Sequence, residues 1–306
     1  MKIDSPAILV LMAVKDGLAY LPQQLESIFN QHQCHITLLV SDDCSTDGSC
    51  EYIQQCSEER HNLKLLPHGL VHGSAAKNFY RLITEAEIAG FDYIAFADQD
   101  DNWQPDKLIR HIHLAQVHHA DGVSSNVTAF WPNGLERLLD KAQPQRKFDY
   151  LFESAGPGCT FLMTPWLIGK LRDQLLNDNS PAKDVVFHDW LTYALCRAHG
   201  RIWYIDAQPS INYRQHQSNM IGANVGLSAK WQRLNKLQQK WYRGEVLKIA
   251  TVCWQISASS DVGHLLNLLA SKSLSARVQL LAHFSQFRRK ALDRWLLAGA
   301  ILLGFF

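Results

Sequence analysis

The sequence predicts an α/β protein: a mostly parallel sheet flanked by helices, with a helical C-terminal extension. Three observations carry that prediction. Apolar runs of strand length alternate with amphipathic stretches through the first hundred residues, the run at 91–97 leads straight into Asp98-Gln99-Asp100-Asp101, and strand signals vanish after about Gly226. An unbroken apolar run such as residues 7–13 marks a strand covered on both faces. A βαβαβαβ order then implies parallel pairing through right-handed crossovers.

The elements follow in order. After the strand at 7–13, Leu21, Leu25, Ile28 and Phe29 fall on one stripe of a helix. Residues 35–41 read as the second strand, with Asp47 placed to cap the next helix. A short third strand is expected at 62–66. The helix over 74–88 turns Phe79, Leu82, Ile83 and Ala86 inward, and 91–97 is the fourth strand. Beyond the acidic tetrad the rhythm loosens. A helix is expected at 105–119, a strand at 122–130, a polar loop with some helix at 133–148, and a strand at 156–163. Helices from Pro165 and over 187–199 and a strand at 201–205 come next. The remainder is helical, with a break near 257–263. There is no internal repeat.

A chain of 306 residues accommodates one large α/β domain or two. Its 47% hydrophobic and 19% charged residues suit a well-buried globular protein rather than a disordered one. A formal net charge of +1 supplies no basic field to gather nucleic acid. Seven cysteines without a CxxC pair read as reduced thiols of a cytoplasmic protein, with no zinc framework. At the start, one early lysine is followed by Asp4 and Pro6 and then an apolar stretch of only strand length, unlike a signal peptide. No run reaches the about 18 apolar residues of a spanning helix. The nearest is the twelve uncharged residues at 295–306.

Several clusters carry chemistry. The tetrad Asp98–Asp101 sets three carboxylates at the end of a buried-looking strand. Such a hard-oxygen site is costly to desolvate without a cation, and this edge is where an open α/β sheet holds its ligand. The plainer reading is a solvated turn that caps the next helix. Asp42 and Asp43 end the second strand, where a carboxylate can accept a hydrogen bond from a nucleobase N–H. A simple capping turn accounts for Thr46 and Asp47 but does not require that pair. From His72 to Asn78, a glycine and small residues open a helix with Lys77 one turn in, which suits a phosphate or an ordinary helix start alike. His111, His113, His118 and His119 with Asp121 would suit zinc by composition. On a helix, however, they scatter around the axis and read as a solvated face.

Taken in order, these features resemble the GT-A glycosyltransferases of family 2. That family carries an apolar strand, an Asp-Asp-Gly-Ser-Thr-Asp-like turn, a small-residue/basic/Asn helix start and a strand ending in Asp-x-Asp. The combination of Asp98-Gln99-Asp100-Asp101 before Trp103, His188-Asp189-Trp190, and Tyr213-Arg214-Gln215-His216 with Asn219 and Gly222 is similar to bacterial rhamnosyltransferases that use dTDP-L-rhamnose. The resemblance spans roughly residues 7–222. This chain departs from it with Val14-Lys15-Asp16 in place of Thr-Tyr-Asn, Cys44 in place of a glycine, and Lys77 in place of arginine, a point charge without a bidentate fork.

The resemblance implies a Rossmann-like GT-A domain over 1–225, its nucleotide-binding half at 1–101 and its acceptor half at 102–225, followed by a helical region at 226–306. Asp16, Asp42, Asp43, Lys77, Asn78, Asp98 and Arg214 would contact a nucleotide-sugar donor. Asp98 and Asp100, with His216 brought back to the ion, would hold Mg²⁺ or Mn²⁺, and Asp101 would support the site or cap the helix that Pro105 helps start. Asp189 would be the general base of an inverting transfer, its ionised form favoured by a helix N-terminus. The implied acceptor is a glycan or lipid-linked glycan of a cell-surface polysaccharide. The same fold with a UDP-hexose donor is the alternative, and a non-catalytic binding module is a third reading. A nucleotidyltransferase would need a glycine-rich basic first loop, which residues 13–17 lack. Trp103 and Trp190 either face sugar or fill core. At the C-terminus, Arg277, Arg288, Arg289, Lys290 and Arg294 beside Trp295-Leu296-Leu297 fit a helix on the inner face of an anionic membrane, or one packed on the protein's own core.

Overall fold

A computed structural model describes residues 5–215 and 241–306. The first half runs β1 (Ala7–Val14), α1 (Leu21–Phe29), β2 (His35–Asp42), α2 (Ser49–Glu59), β3 (Leu63–Leu65), α3 (Ala75–Glu85) and β4 (Tyr93–Ala97). Next come β5 (Asn102–Trp103), α4 (Lys107–His118), β6 (Gly122–Ser125), β7 (Val127–Phe130), β8 (Glu136–Leu139) and β9 (Leu162–Met163). Then follow α5 (Pro165–Leu176), α6 (His188–Ala198), β10 (Trp203–Asp206) and β11 (Ile211–Arg214). Four C-terminal helices, α7 (Trp241–Ser257), α8 (Ser260–Ala270), α9 (Leu274–Ala282) and α10 (Ala291–Leu303), complete the described residues.

The strands with the longest apolar runs lie at the centre of a seven-stranded sheet ordered β10-β6-β9-β4-β1-β2-β3. β1 pairs in parallel with both β2 and β4, and β2 with β3, as the βαβ rhythm requires. β9 enters antiparallel between β4 and β6. Ile8, Val10 and Met12 point to one core and Leu9 and Leu11 to the other, so alternate side chains of β1 feed two apolar layers. Parallel β1, β2 and β4 end on one edge, which brings Asp42 and Asp98 together there.

Several expectations are corrected. The apolar stretch 122–130 is two strands in different sheets: β6 belongs to the large sheet, and β7 to a small one ordered β5-β11-β7-β8. The step between them is Asn126, 2% exposed, whose Nδ2 donates to Ala207 O and whose Oδ1 accepts the Lys141 and Ala142 N–H groups. β8 occupies part of the segment read as loop. Most of 156–163 is turn, with strand only at Leu162–Met163. Gly48, with φ +92°, caps α2, while Asp47 serves from one position further out by accepting the Ser49 N–H at 3.0 Å. His113 and His119 are exposed, but His111 is fully buried in the inner face of α4.

The C-terminal helices share one core with the sheet: Val246, Ile249, Leu265, Leu280, Leu297 and Ile301 pack in the cluster that holds Phe152, Trp190 and Tyr193. Of the five basic residues read as fitting either a membrane surface or the protein's own core, three are spent inside the fold. Arg289, 1% exposed at its side chain, pairs with Asp149 at 3.2 Å and donates to Ser154 O. Arg288 pairs with Glu153 and Asp293, and Arg294 donates to the carbonyls of Arg288 and Arg289. The apolar end divides, with Leu297, Ile301 and Phe306 inward and Leu292, Trp295, Leu296, Leu302 and Leu303 outward. Among the described residues no helix is long and apolar enough to cross a membrane.

Candidate active site

β4 delivers its acidic tetrad to the sheet edge. Asp98 follows the last strand residue, its carbonyl held by Gln24 Nε2 at 2.8 Å. Asp100 and Asp101 are buried, and neither carboxylate oxygen of Asp101 has a hydrogen-bond partner. Asp101 is therefore no helix cap, and α4 begins only at Lys107. Cys159, a residue that motif spacing gave no reason to single out, closes the site from the Gly158–Thr160 turn. Its sulfur and oxygens of Asp98 and Asp101 lie within 4.8 Å of one another. Burial and the charge of Asp100 push the Asp98 carboxyl up to about 7. Burial together with Asp100 and Asp98 drives Asp101 well above the usual carboxylate range. Carboxylates crowded and desolvated in this way fit a hard divalent cation such as Mg²⁺ or Mn²⁺. From the end of β11, Arg214 Nε donates to Asp100 O at 3.0 Å.

The second tetrad residue, Gln99, also carries no sequence signal of its role. Its Oε1 accepts the Lys15 N–H at 2.6 Å, and its Nε2 donates to Lys15 O at 2.8 Å, so it staples the β1–α1 loop to the acidic edge. That staple requires a glycine next door, since a Cβ at Gly17 would meet Gln99 Cδ at 2.5 Å. Below the tetrad, Lys107 is fully buried with Nζ 3.3 Å from the Trp103 ring centroid, and burial lowers its pKa to about 7. Trp103 and Trp190, 3% and 4% exposed, are core residues rather than sugar platforms.

On the β2 side the loops are laced by side chains. Asp43 accepts the backbone N–H groups of His72 and Gly73, joining the β2 edge to the loop before α3. Asp42 accepts the Ser45 N–H at 2.9 Å, while its buried Oδ1 has no partner. Asp16, at φ +48°, accepts the Thr46 N–H at 2.7 Å and stays half exposed. Lys77 is exposed in the first turn of α3. Asn78 spends its amide N–H groups on Val14 O and Ser41 O, pinning the ends of β1 and β2, while its buried Oδ1 has no partner. Arg81, which the motifs did not flag, holds the same loop through Pro67 O at 2.7 Å.

Asp189 stands in the first turn of α6 and accepts its neighbour Trp190's N–H at 2.7 Å. Burial outweighs that bond, the Ser154 hydroxyl and the Lys141 charge, and raises its pKa to about 6. The helix terminus alone would have predicted a shift downward, so desolvation wins here. The preceding His188 is a wedge: its ring stacks on Phe79 at 3.9 Å, meets Phe96 edge-on, and is kept neutral by burial, with a pKa near 3. Asp189 is near enough to Asp98 for its charge to act on that carboxyl. The fold thus gathers Asp98, Asp100, Asp101, Arg214 and Asp189 at one edge. His216, Asn219 and Gly222 lie outside the described residues.

The family model for glycosyl transferase family 2 matches residues 9–170, more than half of the chain. This chain belongs to glycosyl transferase family 2. It is 38% identical over 298 residues to the dTDP-rhamnosyl transferase RfbG of Shigella flexneri, covering 96% of this chain and 100% of that protein. Among solved structures it is similar to Staphylococcus aureus TarS in complex with UDP-GlcNAc, with a TM-score of 0.60 and 16% identity over 98% of this chain and 81% of that one. It is also similar to the mannosyltransferase PcManGT of Pyrobaculum calidifontis in complex with GDP-Man and Mn²⁺, with a TM-score of 0.52 and 16% identity over 98% and 86% of the two chains. At that identity the two structures establish the shared GT-A fold. The chain is a glycosyltransferase.

Proposed function

We propose that this glycosyltransferase moves L-rhamnose from dTDP-L-rhamnose onto a cell-surface glycan with inversion at the anomeric carbon. The observation that carries this reading is the 38% identity to a dTDP-rhamnosyl transferase along the full length of that protein. Asp98 and Asp100, with His216 as a further ligand, would hold Mg²⁺ or Mn²⁺. When bound, the ion neutralises charge that develops on the leaving diphosphate. Asp42, Asp43 and Asp16 face the nucleoside end, and Lys77 and Arg214 bring positive charge toward the diphosphate. Asp189 removes the proton of the acceptor hydroxyl while that oxygen bonds to the anomeric carbon and the bond to the diphosphate breaks, turning a β-L-donor into an α-L-rhamnoside. A pKa near 6 leaves Asp189 ionised at neutral pH and still basic enough to take the proton. Residues 1–101 serve the donor and 102–225 the acceptor, with the helices of 241–306 as the flank; residues 226–240 lie outside the described residues.

The acceptor in this reading is lipid-linked, and α10 rests on the inner membrane face. Support comes from its outward stripe, where Leu292, Trp295, Leu296, Leu302 and Leu303 are 59–70% exposed. Replacing Leu292, Trp295 and Leu296 together by serine leaves the inward residues in place. Recovery of that variant with floated anionic liposomes should drop sharply; recovery equal to the parent's would remove the membrane contact.

Thermal-shift measurements with dTDP-L-rhamnose, dTDP, UDP-glucose and UDP, each with and without Mg²⁺, test the donor. Metal-dependent stabilisation by the dTDP compounds over the UDP compounds is expected. The opposite order would replace the rhamnosyl reading with a UDP-hexose one.

A further inference from the structure

Behind the donor edge, three side chains from separate segments converge on one point. Asp42 ends β2, Cys50 lies in the first turn of α2, and His68 sits between β3 and α3. Asp42 Oδ2 is 3.2 Å and Cys50 Sγ 3.3 Å from the same ring nitrogen, His68 Nδ1. All three ligand atoms lie within 4.8 Å of one another. The Asp42 side chain is 1% exposed, and its second oxygen has no partner. The His68 side chain is 44% exposed, which leaves a path from solvent.

A hydrogen-bonded catalytic relay does not account for this arrangement. In a relay the nucleophile and the carboxylate occupy opposite ring nitrogens, whereas here both crowd Nδ1, which carries at most one proton. Cys50 is not an activated thiolate either, since burial and the Asp42 charge hold its pKa up. One carboxylate oxygen, one sulfur and one imidazole nitrogen aimed at a common point are the donor set of a borderline-soft cation. Zinc bonds of about 2.0–2.3 Å to oxygen, nitrogen and sulfur set tetrahedral ligand–ligand distances of about 3.3–3.6 Å, close to the 3.2 and 3.3 Å from Asp42 and Cys50 to His68 Nδ1.

We propose that Asp42, Cys50 and His68 form a zinc-class metal site, separate from the acidic edge at Asp98–Asp101, with solvent in the fourth position and Asp42 Oδ1 left for the donor. Spacing could not reveal it, because its ligands lie 8 and 18 residues apart on different elements. An ion there ties the end of β2, the start of α2 and the loop before α3 to one another. Asp43 and the His72 and Gly73 N–H groups that bind it belong to those same segments. The site thus clamps the nucleoside end of the donor cleft. Ligation displaces the Cys50 proton, so binding weakens as pH falls.

Co²⁺ titration of chelator-treated, Mg²⁺-free protein tests the site. The unaltered chain should develop a near-ultraviolet thiolate-to-cobalt band that Zn²⁺ bleaches. Cys50→Ser should abolish the band, and His68→Ala, at a side chain 44% exposed, should weaken Co²⁺ binding at least tenfold. Cys44→Ser and Asp98→Asn should leave it intact. No band in the unaltered chain, a band that survives Cys50→Ser, or Co²⁺ binding unchanged in His68→Ala would overturn the proposal. A band lost with Asp98→Asn would overturn it too, by assigning the metal to the acidic edge.

Discussion

Gly158 packs directly on the His188 imidazole: a Cβ built on the glycine would stand 2.6 Å from Nε2 and 3.2 Å from the Asp189 Cβ. The ring cannot yield, because Phe79 stacks on it at 3.9 Å. The turn that carries Cys159 therefore sets where Asp189 stands.

Gly158→Ala should displace Asp189 by several tenths of an ångström to an ångström. Misplacement on that scale costs up to about 10²-fold in turnover, with overpacking of about 1–3 kcal/mol. Steady-state kinetics should show kcat falling while the donor KM holds. A KM effect alone would mean that the glycine serves donor binding.

Asp189→Asn keeps the side-chain shape and the acceptor for the Trp190 N–H, so the protein should fold as before. Loss of the base should lower kcat by about 10²–10⁴. In the parent enzyme at saturating metal, kcat/KM should fall as pH drops through about 6, since protonation removes the base. An acid limb absent down to pH 5 would exclude Asp189 from proton transfer.

Asp98 titrates near 7 when only its protein neighbours surround it. Protons then compete with the cation below that pH, so half-saturation of activity should need more Mg²⁺ at pH 6 than at pH 8. Asp98→Asn should weaken the metal dependence and flatten that difference. A half-saturating Mg²⁺ concentration independent of pH in the parent enzyme would contradict the assignment.

Arg289 joins α10's approach to the catalytic core through Asp149 and Ser154, both ends of the ion pair being fully buried. Arg289→Met removes one of the two guanidinium partners of buried Asp149 and should cost about 3–5 kcal/mol in urea unfolding. A loss below about 1 kcal/mol would show that the remaining Arg197 contact to Asp149 suffices.

The fold was legible where pattern and burial agree. β1 and β4 are apolar along their length, and β2 through Leu38–Val40, because helices cover both faces, and α3 keeps Phe79, Leu82 and Ile83 at helical spacing. Legibility failed where a single polar residue redirects the chain, as Asn126 does between β6 and β7, and at β8, whose exposed residues share no buried face. In the site, residue type placed the acidic edge and Asp189 but did not say how each polar group is used. Asn78 spends its amide on the ends of β1 and β2, Asp101 caps nothing, and Arg288, Arg289 and Arg294 turn inward. Gln99 and Gly158 act through contacts that only the folded chain creates.

Initial rates of nucleotide release from dTDP-L-rhamnose and from UDP-glucose, with Mg²⁺ and then with chelator, test the central claim most directly. Release of dTDP that requires the metal and exceeds release of UDP at least tenfold is the predicted result. Equal or faster release of UDP, or turnover untouched by chelator, would contradict it.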